Sequence, residues 1–177
     1  MSAKRLQIGV MGMGHDMEHS AQMTQLAFEI GVCIAKAGHI TVYGANKDQE
    51  TLPTDAARGA KSVGGLTVGV THGVGRTILN QENTDVVVAT GIEKGGGREF
   101  VLVNSCDAII LISGGAGTLI EAAIAYEMYI PMVALLGSGG WADKLAGTYL
   151  DPRNKVLIES AKTPQEAVEL AVKAAMK

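Results

Sequence analysis

The sequence is poor in several residue types, and each shortage narrows what the protein can be. Aromatic residues make up 4% of its 177 residues, so the core must be mostly aliphatic and alanine-based. The two cysteines, Cys33 and Cys106, lie far apart without CxxC spacing, which favours free buried thiols in a reducing cytoplasm. Only four prolines accompany 23 glycines, which argues against a collagen-like or disordered chain.

Two further absences concern charge and long apolar runs. The chain has 15 basic and 18 acidic residues and no basic patch, so we do not expect it to bind nucleic acid. No window approaches the roughly 18 apolar residues of a membrane span. The apolar run in the opening "MSAKRLQIGVMG" is short and ends at glycines, which indicates a first strand rather than a signal peptide. We therefore expect a cytoplasmic protein without a membrane partner.

The pattern of the whole chain predicts one α/β domain over residues 1–177. Short runs rich in Val and Ile alternate with helical patterns, and the runs lack polar alternation, as strands buried on both faces do. This predicts a doubly wound, mainly parallel, Rossmann-like sheet of about seven strands with helices on both faces. The predicted strands are 6–12, 39–44, 65–70, 85–91, 107–113, 130–136 and 155–160, and the predicted helices are 19–36, 56–63, 97–106, 118–128 and 163–176.

Glycines mark the predicted ligand-binding rim of this sheet. In open parallel sheets, ligands bind beyond the carboxyl ends of the strands, where the strand order reverses. Gly12 and Gly14 follow strand 1, Gly44 follows strand 2, and glycine-rich turns follow strands 4 and 5. With strands 1 and 4 as neighbours, all of these would line one rim. We therefore expect the glycine excess to serve ligand access, which disfavours a purely structural protein.

The segment "SGGAGTLIE", residues 113–121, is the strongest single signal. Glycines allow positive φ and bring a ligand close to bare backbone, and the turn leads into a helix whose first N–H groups are unpaired. We expect an anion such as phosphate to bind there. The predicted binding residues of this turn are Ser113, Gly114, Gly115, Gly117 and Thr118. Alternatively, Thr118 and Glu121 form a capping box, in which Glu121 only reaches back to the first helical amide.

Arg98 lies in the first turn of the preceding helix, where a cation opposes the helix dipole. Right-handed crossovers put the helices after strands 4 and 5 on one face, with their N-termini roughly 10 Å apart. Arg98 and Glu121 would then converge at the rim. The alternative for Arg98 is a surface salt bridge with Glu93 or Glu99.

These residues resemble a known family. "SGGAGTLIE" resembles the PGGxGTxxE motif of the lonely-guy proteins, which are cytokinin-activating nucleotide phosphoribohydrolases once labelled lysine decarboxylases. It is more similar to their relatives, the molybdenum-cofactor carrier proteins. "ARGAKSVGGLTVGV", "VNSCDAIILISGG" and "GSGGW" extend the likeness, and Arg98 has the spacing of the family's active-site arginine. The resemblance implies a Rossmann-like homodimer or homotetramer.

The resemblance implies two functions for the same rim. In the hydrolases, Arg98 would stabilise the departing base or the phosphate, and Glu121 the oxocarbenium-like ribose or the attacking water. These two residues are catalytic only if the protein is an enzyme. In the carriers, the rim holds the phosphate and oxyanion of the pterin cofactor without chemistry. The implied ligand is the molybdenum cofactor or a nucleoside monophosphate.

Three departures from the hydrolase pattern favour the binding or carrier role. The loop after strand 2 keeps Gly44 but loses the family's other glycines, so Asn46, Lys47 and Asp48 would crowd a phosphate held by backbone. Glu99 replaces a lysine, and Ser113 replaces the motif's proline. The phosphoribohydrolase is the alternative, and a ligand-sensing domain with degenerate chemistry is a third hypothesis.

Weaker motifs near the other strand ends each allow more than one interpretation. NAD binding is disfavoured because the GxGxxG pattern would need glycine at Met17, and no acidic residue closes strand 2. His15 and His19 have i,i+4 spacing, which is typical of a metal site or of a polar helix start; we assign no metal. His72 and Arg76 either reach the cleft or form a surface loop.

Two residues outside these motifs are bulky or reactive. Trp141, in "GSGGW", either covers the ligand or lies in a subunit contact. Cys106 ends a helix beside strand 5, so we expect it to be buried and inert.

Overall fold

The computed structural model describes residues 4–14 and 20–177 and contains one sheet of seven parallel strands. Helices connect the strands, except for a 3-10 turn between the third and the fourth, which confirms the predicted Rossmann-like α/β fold. The strands are β1 (Gln7–Gly12), β2 (Ile40–Ala45), β3 (Leu66–Thr71), β4 (Val86–Ala89), β5 (Ala108–Ile112), β6 (Met132–Leu135) and β7 (Ile158–Ala161). The helices are α1 (Ala21–Lys36), α2 (Leu52–Ser62), α3 (Gly97–Asn104), α4 (Ala116–Glu127), α5 (Gly140–Leu145) and α6 (Pro164–Ala175), with a 3-10 turn at Gln81–Asn83.

The strand order is β4-β3-β2-β1-β5-β6-β7, so strands 1 and 4 are not neighbours, and the condition for all of the glycine turns to line one rim is not met. β1 lies between β2 and β5, in register over Ile8–Ala108 to Gly12–Ile112. The chain adds β2, β3 and β4 outward on one side and then returns through α3 to the other side of β1. The strand order therefore reverses between β1 and β5, and this is where the crevice of a doubly wound sheet opens.

The core consists of two apolar layers, one on each face of the sheet. Ile8 and Val10 pack towards α1, α2 and α6, whereas Met11 packs towards α3, α4 and α5. Alternate residues of a strand point to opposite faces, so strands buried on both sides must be apolar throughout. The prediction that α3 and α4 share a face is confirmed, and their N-termini meet at the same rim.

Several helix boundaries differ from the predicted ones because of capping. α2 begins four residues early, since the Thr51 hydroxyl caps it by accepting from the Thr54 amide at 3.2 Å. α1 begins at Ala21 behind a Ser20 cap. α5 was not predicted, because six residues opened by glycines carry little periodic signal. The proposed His15 and His19 pair lies outside the described residues.

Two glycines serve helix packing rather than the rim. A Cβ on Gly31 of α1 would overlap the Ala56 carbonyl, and one on Gly59 of α2 would overlap the Phe28 carbonyl. The two helices therefore meet backbone to backbone, and only part of the glycine excess concerns ligand access. Within the described part of the chain, no helix is long and apolar enough to span a membrane.

Candidate functional site

A cleft of about 390 Å³ opens at the carboxyl ends of the strands, where the strand order reverses. It has two walls, which come from opposite faces of the sheet. The α3/α4 wall consists of residues 94, 95, 98, 99, 115–118 and 120, and the β2-loop wall consists of Asn46, Gln49 and Thr51. Gly12, Met13 and Gly14, which follow β1, complete the lining.

The β5–α4 turn exposes backbone amides in this cleft. Ser113 and Gly114 have positive φ of 54° and 100°, which turns the chain sharply into α4. The N–H groups of residues 115–118 donate no hydrogen bond to any described residue. Thr118 is 2% exposed, and its Oγ1 also lacks a partner. A helix N-terminus with unpaired amides favours negative charge, so this turn has the geometry of an anion site.

Ser113 and Gly114 lie behind the lining of the cleft and hold α5 in place. The Ser113 amide donates to Ser138 Oγ at 2.8 Å, and its hydroxyl contacts Met13 Sδ at 3.1 Å. The Trp141 amide donates to the Gly114 carbonyl at 3.0 Å. Of the predicted turn residues, only Gly115, Gly117 and Thr118 line the cleft.

Arg98 is buried, with 8% of its surface exposed, and lies against the backbone of β2. Its Nη2 is 3.1 Å from Glu99 Oε1, and its Nε has no partner. A Cβ on Gly44 would overlap Arg98 Nη1. Gly44 does not line the cleft; it provides the space that the guanidinium occupies.

The side-chain carboxylate of Glu99 caps the N-terminus of α3. Its Oε2 accepts from the amides of Gly95 and Gly96, at 3.0 and 2.7 Å. Burial raises the pKa of Glu99, but the Gly96, Glu99 and Gly95 amides and the Arg98 charge outweigh burial, and the net shift is downward. A capping box is therefore found on α3 rather than on α4. Arg98 pairs with Glu99, as the alternative expected, but the pair is buried and not a surface salt bridge.

Glu121 lies in the second turn of α4, because the helix begins at Ala116 rather than Thr118. It cannot reach the first helical amide, so the capping-box alternative is wrong. The residue is 6% exposed and stands outside the lining of the cleft. Burial raises its pKa to about 8; the Arg98 charge opposes this shift, and the Glu99 charge adds to it.

Known proteins show to which family this chain belongs. The sequence model of the SLOG cluster4 family matches residues 5–168. The chain belongs to the SLOG cluster4 family. An uncharacterised protein of Archaeoglobus fulgidus is 35% identical over 124 residues, which are 70% of this chain and 76% of the relative.

Solved structures place this SLOG chain near the carrier branch. The molybdenum cofactor carrier protein of Chlamydomonas reinhardtii has a TM-score of 0.81 and 29% identity, covering 98% of this chain and 100% of its own. The molybdenum cofactor binding protein of Rippkaea orientalis has a TM-score of 0.79 and 26% identity, covering 99% and 100%. The resemblance to the lonely-guy and carrier proteins is confirmed.

The β2-loop wall of the SLOG chain contains residues that the sequence pattern did not assign to ligand binding. Asn46 is 7% exposed and its Oδ1 has no partner. Thr51 is held next to the β1 exit by an isolated bridge to Gly14. The one sequence feature that pointed to this wall is the loss of the family glycines after Gly44, which predicts crowding of a phosphate held by backbone. Lys47 and Asp48 in fact lie outside the lining and are exposed.

Lys94 is a second cation of the α3/α4 wall that the sequence pattern did not single out, and it lies exposed at the rim. His72 lies behind it, with Nδ1 3.7 Å from Glu93 Oε2 and a buried, unpartnered Nε2. Burial, Lys94 and Arg98 lower the pKa of His72, against the opposing charges of Asp48 and Glu93. His72 is thus neutral near pH 7 and stands close to the cations without lining the cleft.

The remaining candidates lie away from the cleft. Arg76 is exposed in its loop. Trp141 packs at the start of α5, with Lys144 Nζ 4.5 Å from its ring centre, and does not line the cleft. The expected burial of Cys106 is confirmed, and burial raises the pKa of its thiol, which disfavours the reactive thiolate. The described residues contain no group of three His, Cys, Asp or Glu side chains that could hold a metal.

Proposed function

We propose that this protein binds and carries a phosphorylated, ring-containing small molecule in the cleft, of the molybdenum-cofactor (pterin) or nucleotide type. One observation carries the proposal. Five buried side-chain polar atoms of the described residues lack a hydrogen-bond partner, and four of them lie in or beside the cleft: those of Asn46, His72, Arg98 and Thr118. Buried polar groups are nearly always satisfied, so a cluster of unsatisfied ones indicates where a ligand completes them.

The α3/α4 wall suits the phosphate end of such a ligand. The amides of residues 115–118 and the Thr118 hydroxyl supply neutral donors at the positive end of the α4 dipole. Lys94 adds an exposed positive charge at the rim. Glu99 compensates much of the Arg98 charge, so the amides and Lys94 would supply most of the attraction for an anion.

The relatives point to the class of cargo. Two structures of similar size and fold, at 26% and 29% identity, are of proteins named for binding or carrying the molybdenum cofactor. That cofactor combines a phosphate, a pterin ring and an oxyanion, which fits a cleft with one anion-binding wall and one neutral polar wall. Here the cofactor would be cargo.

The position of Glu121 supports a carrier function rather than a hydrolase function. A phosphoribohydrolase needs this carboxylate beside the ribose, where it can stabilise a developing cation or direct water. Glu121 is buried behind the lining, and its pKa of about 8 keeps it protonated near neutral pH. A protonated carboxyl without access to the cleft is poorly suited to that role.

The proposal is tested by thermal unfolding with inorganic phosphate, AMP and neopterin monophosphate, and by chromatography for released base. Ligands that bind the folded state raise the Tm. We expect phosphate-bearing compounds to raise the Tm without release of adenine. Thr118→Val, which removes one donor at nearly constant shape, should reduce the shift. Thr148→Val, far from the cleft, is the control.

Two outcomes would overturn the proposal. Absence of any phosphate-dependent shift would exclude an anion site at α4. Release of adenine from AMP that stops in Glu121→Gln would make the protein a phosphoribohydrolase instead.

We also propose that the protein is a homo-oligomer. An apolar groove lies between α3 and α4, lined by Phe100, Ile120, Ala123, Ile124, Glu127 and Met128. Phe100 and Met128 are 51% and 46% exposed, which is unusual for adjacent large apolar side chains. Light scattering should report a dimer or tetramer, and Phe100→Asp should shift it towards monomer; a wild-type monomer would contradict this.

A further inference from the structure

The β2-loop wall of the cleft is neutral and polar, in contrast to the α3/α4 wall. Asn46 and Thr51 are its buried members, and Asn46, which is 7% exposed, has an Oδ1 without a partner. An unpaired buried amide oxygen destabilises the folded state, because it loses its hydrogen bonds to water without gaining others. A stable fold retains such a group most readily where a bound molecule satisfies it.

The backbone holds Asn46 rigidly in this position. It directly follows β2, whose last residue, Ala45, pairs with Thr71 of β3. The Leu79 amide donates to the Asn46 carbonyl at 2.8 Å. The side chain is therefore presented from the end of a central strand rather than from a free loop.

The neighbouring polar groups are less suited to recognition. The Thr51 hydroxyl is already engaged, because it caps α2 and contacts Thr54 Oγ1 at 3.0 Å. Gln49 also lines the cleft but is only half-buried. Asn46 is thus the group of this wall with both burial and an unused acceptor.

A side-chain amide offers one acceptor beside one donor, in one plane. It pairs best with an edge that presents a donor beside an acceptor, as asparagine pairs with adenine. The aminopyrimidine edge of a pterin has the same arrangement. Met13 and Ile120 supply apolar surface in the same cleft, against which a flat ring can pack.

We propose that Asn46 is the specificity-determining residue of the cleft and reads the hydrogen-bonding edge of an aminopyrimidine-type ring whose phosphate lies at α4. This inference rests on the proposed function, since it needs a ligand anchored by its phosphate. It adds that the ring is chosen by one neutral amide, in the segment where this chain departs from the glycine-rich loop of the hydrolases.

The test is calorimetric titration of the full chain with ribose 5-phosphate, AMP and neopterin monophosphate. Asn46→Leu keeps the volume of the side chain but removes both hydrogen-bonding atoms. It should weaken binding of at least one ring-bearing phosphate by about tenfold to a hundredfold and leave ribose 5-phosphate within about twofold. Asn104→Leu, an exposed position at the end of α3, is the matched control.

The outcomes separate this inference from the proposed function. Selective weakening of AMP identifies a purine nucleotide, and selective weakening of neopterin monophosphate identifies a pterin; both support the role of Asn46. Equal affinities of Asn46→Leu and wild type for both ring compounds would overturn it, as would an equal loss for ribose 5-phosphate. Wild-type protein that binds none of the three would refute the proposed function itself. If Asn46→Leu does not fold, Asn46→Ala is compared in the same way.

Discussion

Substituting Gly117 by Asp would place a permanent anion where we propose that phosphate binds. Gly117 is the second residue of α4 and lines the cleft, and a Cβ there would meet nothing within 4 Å. The aspartate would therefore fit without displacing any described group. Its carboxylate would lie at the amides of residues 115–118 and act as an intramolecular substitute for the ligand.

The expected magnitude follows from two contributions. A carboxylate in the first turn stabilises a helix by about 0.3–1 kcal/mol at low salt. Replacing glycine inside a helix adds about 0.3 kcal/mol. For a chain of this size, about 1 kcal/mol corresponds to roughly 2–4 °C in Tm. We expect Gly117→Asp to raise the ligand-free Tm by about 1–5 °C and to abolish the phosphate-dependent shift.

The matched control is Gly117→Asn, which has the same shape without the charge. Thermal unfolding at low salt, with and without inorganic phosphate and AMP, compares the two variants with wild type. The asparagine variant should keep the ligand response, and the advantage of aspartate over asparagine should shrink at high salt. Retention of the full phosphate response by Gly117→Asp would refute the placement of the anion at α4.

Three further predictions concern the groups around the cleft and the packing behind it. Gly44→Ala should displace the guanidinium of Arg98, which the new Cβ would overlap, and weaken AMP binding at least about tenfold. An unchanged affinity for AMP in titration calorimetry would contradict a role of the Arg98–Gly44 contact in binding. The pKa of Glu121 is raised in the folded protein, so the protonated carboxyl contributes its full stability below the unfolded pKa near 4.5. As the pH rises from there to about 8, this contribution to the free energy of unfolding is lost by up to about 1.4 kcal/mol per pH unit. Glu121→Gln should therefore gain Tm over wild type at pH 8.5 more than at pH 5, and an equal difference at both would count against burial of the charge. Gly31→Ala should destabilise the protein by about 1–3 kcal/mol by forcing α1 and α2 apart, whereas Gly117→Ala should not; chemical denaturation measures both.

Local patterns were sufficient for the seven described strands, for five of the six described helices and for the family. Val- and Ile-rich runs without polar alternation predicted buried parallel strands, and the motif of residues 113–121 predicted the turn that opens α4. These signals are local, because a strand, a cap or a glycine turn depends mainly on neighbours in the chain. Arg98 was also identified, since a cation in a first helical turn lacks a structural reason.

Other features depended on contacts between distant segments. Glu121 does not cap α4, because α4 begins two residues earlier than predicted and Glu121 is then out of reach of the first helical amide, whereas Glu99 caps α3. The sequence predicts that Asn46 crowds a bound phosphate. In the structure it lies in the wall of the cleft, because β2 ends beside the point where the strand order reverses. The sequence around Gly31 gave no sign that α1 and α2 pack backbone to backbone at this position.

By itself, the sequence determined that this is a seven-stranded α/β protein of the lonely-guy and carrier type with an exposed glycine turn after β5. The tertiary structure decided that β5 rather than β4 lies beside β1, and so which turns share one cleft. It also decided which polar groups are buried without partners there. The physical reason is that burial and hydrogen-bond satisfaction are set by segments that meet only after the strands have been ordered, and no window of the sequence contains that order.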